Sequence, residues 1–172
     1  MTTTLFYTTM NTTIGPLTLV KTEKGLCALE SGQVEDLTER SWFQRTFKDK
    51  ALIDDKHLFE QESQELSAYL AGELQRFTSP VDMIGTPFQQ SVWQVLSSIP
   101  YGHSISYSEV ARLIGKRPTA AQAVGQAIGQ NPVMIVIPCH RVLSKSGELT
   151  GYRGGIAMKK ALLDLEGVPY RT

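Results

Sequence analysis

The residues best suited to chemistry are Cys139, His140 and Arg141, which directly follow Pro138. Pro138 ends the apolar run Met134 to Ile137, which reads as a buried strand because Val and Ile favour extended, packed backbone. Proline fixes φ and removes a donor, so the next side chain is delivered to a fixed place. A cysteine there, beside two potentially cationic side chains, is set up for a lowered thiol pKa, and the thiolate is the nucleophilic form. The competing reading is an inert core cysteine, since Cys is among the most buried residue types. Against it, a buried apolar slot rarely admits a histidine and an arginine. Adjacency restricts the chemistry further. On an extended segment, neighbouring side chains point to opposite faces. His140 is therefore expected to reach the sulfur of Cys139 through a water rather than by direct contact.

Length and composition bound the rest. The chain has 172 residues and 41% hydrophobic content, enough for one generous domain or two small ones with cores that need neither disulfide nor metal. Cys27 and Cys139 are the only cysteines, and the start lacks a secretory pattern, which predicts a reduced, cytoplasmic protein. Cys27, in Gly25-Leu26-Cys27-Ala28-Leu29, reads as strand core. His57, His103 and His140 stand singly and form no zinc spacing with the cysteines, so no metal is expected. No apolar run approaches the length of a membrane span. Net charge is zero, but residues 1–85 carry 8 Lys/Arg against 13 Asp/Glu, and residues 86–172 carry 9 against 4. The basic second half suits a polyanion, and an ordinary solvated surface accounts for the same excess.

The first thirty residues read as a β-meander, with short runs at 5–7, 17–20 and 26–29 separated by turn signals. A surface helix is expected over Val34 to Phe47 and a second over Leu58 to Leu70, closed by Gly72. Ser79 to Gly85 reads as a linker. Three capping boxes then follow: Thr86 with Gln89, Ser106 with Glu109, and Thr119 with Gln122. The last two open short helices joined by Gly115-Lys116-Arg117-Pro118, the outline of a helix-turn-helix. The second of these is small-faced, with Ala120, Ala121, Ala123, Gly125 and Ala127. Such a face either lies close to a sugar-phosphate backbone or packs against another helix. The loop Thr150-Gly151-Tyr152-Arg153-Gly154-Gly155 lacks phosphate-loop spacing and is either a pocket wall or a plain connection. A helix from Ala157 to Glu166 follows.

Taken in order, several motifs resemble the O6-alkylguanine-DNA alkyltransferases, the methylated-DNA–protein-cysteine methyltransferases. They are Gly85-Thr86-Pro87-Phe88-Gln89 with Val92-Trp93, Ile99-Pro100-Tyr101-Gly102, Ser106-Tyr107, Ala123-Val124-Gly125 and Asn131-Pro132. They continue through Ile137-Pro138-Cys139-His140-Arg141-Val142, Gly151-Tyr152 with Gly154-Gly155, and Leu162-Leu163 before Glu166-Gly167. The likeness covers roughly the last half of the chain, and the first half matches only in outline. It implies an α+β fold: a small N-terminal sheet-plus-helix, ribonuclease H-like domain over 1–80, then a helical, winged helix-turn-helix-like domain over 81–172 that carries the cysteine.

The implied activity is irreversible, single-turnover transfer of the alkyl group from O6-alkylguanine, and from O4-alkylthymine, in double-stranded DNA to Cys139. It implies base flipping, minor-groove binding, no cofactor and a monomer. By resemblance, His140 is the base, Glu166 orients it, Asn131 braces the turn, and Tyr107 polarises the guanine and crowds its phosphate. Pro138 orients the nucleophile. Val142 and Tyr152, Arg153 and Gly154 line the guanine pocket. Ala121, Gln122, Ala123, Gly125 and Arg141 fall among the substrate and DNA contacts. One departure stands out. Where the family usually has an arginine that fills the gap left by the flipped base, this chain has Gln122. Gln is shorter and neutral, and either serves the duplex or closes a capping box with Thr119. Arg153 offers a compensating phosphate contact. The alternative function, a non-catalytic lesion binder, lacks a cysteine at the position of Cys139.

Overall fold

The computed structural model describes residues 4–172. The chain forms two compact units that part between Ile84 and Gly85.

The first unit is built on a four-stranded sheet. Strands β1 (Leu5–Thr12), β2 (Gly15–Thr22) and β3 (Gly25–Ser31) form an antiparallel meander. A short β4 (Leu52–Asp54), not foreseen from the sequence, pairs parallel to β1 and gives the order β3-β2-β1-β4. The strands run longer than their apolar cores because the turns are tight. Thr12 Oγ1 donates to the Gly15 carbonyl at 2.6 Å and accepts from Ile14 N at 3.1 Å. In place of one helix over 34–47 there are two, α1 (Val34–Thr38) and α2 (Ser41–Thr46). The break lets Leu37, Phe43 and Phe47 enter one cluster with Leu5, Val20, Cys27 and Ala28. Cys27 is core, and burial pushes its thiol up to about 12, so it is chemically inert. The next helix, α3 (Glu60–Leu70), follows a 3₁₀ turn over Lys56–Phe59, so Leu58 lies exposed rather than on the buried stripe. Buried Glu62 is paired with Lys21 at 2.8 Å.

The segment expected as a linker is part of the sheet's edge. Leu26 N donates to the Pro80 carbonyl at 2.9 Å, and Asp82 N donates to the Leu26 carbonyl at 2.7 Å. It covers the outer side of β3 and so limits open strand edge. Gly25 permits it: φ is +149°, and a Cβ there would sit 2.5 Å from the Pro80 oxygen.

The second unit is mostly helical. Helix α4 (Pro87–Ser97) opens with both halves of its capping box formed, Gln89 N to Thr86 Oγ1 at 3.1 Å and Thr86 N to Gln89 Oε1 at 2.9 Å. Its buried Trp93 donates from Nε1 to the Ala127 carbonyl at 2.9 Å. Strand β5 (Ile105–Ser106) leads into α5 (Tyr107–Leu113), capped by Ser106 Oγ accepting from Glu109 N. Helix α6 (Ala121–Gly129) does not start at a Thr119 box. Pro118 opens a 3₁₀ turn over Pro118–Ala120, and α6 continues from it with no side-chain cap. Two-residue β6 (Val142–Leu143) pairs parallel with β5, and α7 (Ile156–Glu166) ends on left-handed Gly167. There Val168 N bonds the Leu163 carbonyl and Gly167 N the Asp164 carbonyl, a Schellman closure. No helix among the described residues is long and apolar enough to cross a membrane.

Met134 to Ile137 is not a strand. The run is buried but folds as turns, with Val136 N to the Met134 carbonyl at 2.8 Å and Ile137 N to the Val133 carbonyl at 3.0 Å. Ile135 has φ of +72°, costly for a β-branched residue. Asn131 supplies the partners that a sheet would have given: Nδ2 donates to the Ile137 carbonyl at 2.8 Å and Oδ1 accepts from Val133 N at 3.0 Å.

Replacing Gly25 by Ala should lower stability by about 1–3 kcal/mol, because the new methyl group meets backbone rather than a yielding side chain. Urea denaturation would register this as a lower midpoint at unchanged slope.

Candidate active site

Pro138, buried, holds φ −81° and ψ 65°, and Cys139 N donates to the Ile137 carbonyl at 2.8 Å. That is an inverse γ-turn. It feeds a 3₁₀ turn over Cys139–Arg141, so the strand-like alternation expected for Cys139 and His140 does not apply. The parallel pairing of β5 with β6 holds this turn beside the start of α5, where Tyr107 is the first helical residue.

Behind the turn, Glu166 at the end of α7 gathers four donors. His140 Nε2 lies 2.7 Å from its Oε2. Arg141 forks onto both oxygens, Nε to Oε1 at 2.8 Å and Nη2 to Oε2 at 3.0 Å. Gly102 N donates to Oε1 at 3.2 Å. Arg141 also donates to the Ile99 carbonyl at 2.6 Å and lies over the Tyr101 ring, 5.8 Å from its centroid. Only 7% exposed, its guanidinium is committed to this brace and is not a DNA contact. His140 is fully buried, and burial holds it below its ordinary value of 6.5 against the opposing pull of Glu166, so the imidazole is neutral.

In front of the turn lies a cavity of about 350 Å³. Cys139, Asn131 and Tyr107 line it together with Gly125, Ile128 and Gly129 of α6 and with Gly151, Tyr152 and Arg153. The glycine-rich loop is thus a pocket wall. Arg153 is tied down, Nη1 donating to the Asn131 carbonyl at 3.0 Å. Gly154 packs behind the wall, where a Cβ would lie 2.5 Å from Met158 Sδ. Val142 is fully buried in β6 and does not line the cavity, and its carbonyl accepts from Lys159. Along α6, Val124, Ala127 and Ile128 are buried, while Gln122 and Ala123 are exposed and Ala121 is partly so. Helix packing therefore explains Ala127 but leaves Ala123 open to solvent and Ala121 partly so.

The thiol does not behave as its neighbours in sequence suggest. Burial raises the Cys139 pKa above the ordinary 9.0, and the groups that pull it down are Asn131, Lys159 and Arg153, not His140 and Arg141. Sequence reasoning passes over Lys159. It is 1% exposed, donates to the Val142 carbonyl at 2.9 Å and to Thr150 Oγ1 at 3.2 Å, and burial brings it down to about 8. A signal for it exists. Met158, Lys159, Leu162, Leu163 and Glu166 recur at helical spacing, which puts the lysine on the buried face of α7. Chemically, the site pairs a neutral thiol with a neutral imidazole on an anchored carboxylate, beside a cavity sized for a planar base.

The likeness to known proteins follows the same lines. The ribonuclease-like domain of 6-O-methylguanine DNA methyltransferase matches residues 5–83, and its DNA binding domain matches residues 87–168. The inducible methylated-DNA–protein-cysteine methyltransferase of Bacillus subtilis is 47% identical over 150 residues, 86% of this chain and 82% of that one. Its counterpart in Mycobacterium bovis is 44% identical over 164 residues, 94% of this chain and 92% of the other. Among solved structures, Mycobacterium tuberculosis OGT in complex with DNA superposes with a TM-score of 0.81 at 43% identity, covering 94% of this chain and 92% of its own. The chain belongs to the 6-O-methylguanine DNA methyltransferase family.

With the thiol held protonated, alkylation of Cys139 by iodoacetamide should show a midpoint above pH 9.0. In Arg153→Met the midpoint should move higher, because a cation that favours the thiolate and stays charged at that pH is gone. A pH series read by peptide mass spectrometry checks both.

Proposed function

We propose that this chain repairs double-stranded DNA directly, by moving the alkyl group of O6-alkylguanine to Sγ of Cys139, once per molecule. The observation that carries this reading is the cavity, which joins the thiol to Tyr107, Asn131 and the 151–153 wall while His140 and Glu166 stand behind it. The thiol gives its proton to neutral His140 through a water. Glu166, held by Arg141, steadies the imidazolium that forms, as the third member of a triad does. The S–C bond forms as the C–O6 bond breaks, and the electron pair leaves with guanine. Tyr107, whose pKa burial raises, keeps its proton and supplies it to the departing base. Asn131 fixes the turn that aims the sulfur.

The target O6 is out of in-line reach inside a duplex, so the base leaves the stack. The exposed small residues at the start of α6 let the helix approach the minor groove, with Gln122 at the position that fills the vacated stack. The protein works as a monomer in the cytoplasm, without a cofactor. A lesion binder without chemistry is disfavoured because Cys139 lines the cavity with the other site residues.

Mixing the protein with a duplex that carries one O6-methylguanine should add one methylene unit to the peptide holding Cys139. Cys139→Ser should bind and gain nothing. An unchanged intact mass in the wild-type protein would refute the transfer. Gln122→Arg should tighten duplex binding by about ten-fold at low salt and steepen the salt dependence by about one phosphate contact. Titrating affinity against salt measures both.

A further inference from the structure

Lys159 and Thr150 are polar residues near the thiol that take no proton in the transfer from Cys139 to His140. The Lys159 ammonium, on the buried face of α7, touches two acceptors, the Val142 carbonyl at 2.9 Å and Thr150 Oγ1 at 3.2 Å. The same Thr150 hydroxyl hydrogen-bonds the Tyr107 hydroxyl, and Tyr107 lines the cavity beside Cys139. Three groups therefore stand in one line from the protein interior to the substrate space.

Counting hydrogens sets the direction of the first link, and the second link is the one the proposal assigns. An ammonium has three donors and no acceptor, so Lys159 donates and Thr150 accepts. The threonine hydroxyl keeps one hydrogen of its own, and its other hydrogen-bond partner is the Tyr107 oxygen. If Thr150 donates there, Tyr107 accepts, and the phenolic hydrogen is left to point into the cavity. We propose that Thr150 is a positioning residue that fixes the order Lys159 to Thr150 to Tyr107, so that the phenolic hydrogen faces the substrate and passes to the departing guanine.

The inference rests on the alkyl-transfer reading. As the C–O6 bond breaks, guanine takes the hydrogen of Tyr107, the phenolate takes that of Thr150, and Thr150 takes one from Lys159, which ends as a neutral amine. The thiol proton has gone separately to His140, so charge and atoms balance with no further reagent. Burial supports the last transfer, since it already weakens the hold of Lys159 on its proton. A hydroxyl in this place can relay a proton, and a methyl group of the same shape cannot.

Thr150→Val and Thr150→Ser, compared with the wild-type chain, test the relay. Two rates would be measured: single-turnover transfer from an O6-methylguanine duplex, and alkylation of Cys139 by iodoacetamide. Thr150→Val should slow transfer about ten-fold, the worth of one hydrogen bond in the barrier. Thr150→Ser should stay within about two-fold of wild type. Iodoacetamide alkylation should be unchanged in both, because no guanine has to be protonated. Equal transfer rates in Thr150→Val and wild type would overturn the proposal, as would a serine variant as slow as the valine. So would a parallel loss of iodoacetamide reactivity, which would assign the effect to the thiol. If wild type takes up no methyl group, the alkyl-transfer reading itself fails, an outcome distinct from a loss confined to Thr150→Val.

Discussion

A single buried carboxylate holds the reactive segment in shape. Glu166 receives the imidazole of His140, the guanidinium fork of Arg141 and the amide of Gly102. These donors come from two separate parts of the second unit, so the interaction ties the end of α7 to the turn after Pro138 and to the loop after α4. Arg141 and Glu166 are both nearly inaccessible to solvent, and a charge in such a place is tolerable only when paired and hydrogen-bonded. Removal of either partner leaves the other as an uncompensated ion in the core, a cost of about 3–5 kcal/mol for buried pairs. The carboxylate also fixes one ring nitrogen of His140, and with it the plane in which the imidazole exchanges a proton.

The site balances two opposed demands on the sulfur. Burial keeps the thiol protonated and so protects it from casual alkylation and oxidation. Asn131, Lys159 and Arg153 pull the other way and lower the cost of forming the thiolate. The neutral imidazole completes the arrangement, since burial disfavours its cation until a proton is offered. Cys27 shows how the same chain treats a purely structural thiol. It packs in a sheet among apolar side chains, and its pKa rises to about 12.

How much of this is legible in the sequence depends on how local each signal is. The Thr86–Gln89 box is readable because its two hydrogen bonds span four residues. The Thr119–Gln122 box does not form, because Pro118 is suited to a first helical position and starts the 3₁₀ turn one residue early. The apolar run at 134–137 announces burial but not conformation: strand and buried turn share that composition, and Asn131 decides between them. The cationic neighbours of Cys139 mislead for a related reason. Adjacency in sequence says nothing of Glu166, which claims both. Lys159 reaches the thiol from a helix whose periodicity hides a charge among hydrophobes. The domain order and the cysteine need only short motifs, whereas the glycine-rich loop reads equally as wall or connection until its residues are seen to line the cavity.

The chain order of these parts has a consequence for biosynthesis. Glu166 follows His140 by 26 residues and Arg141 by 25. A polypeptide made from its N-terminus therefore contains the cysteine turn and its two neighbours before their shared partner is added. Until α7 is made, Arg141 has no anion to fork onto, and burial of the turn would strand its charge. Docking of α7 supplies that anion, so His140 and Arg141 can be buried with partners only once Glu166 is in place.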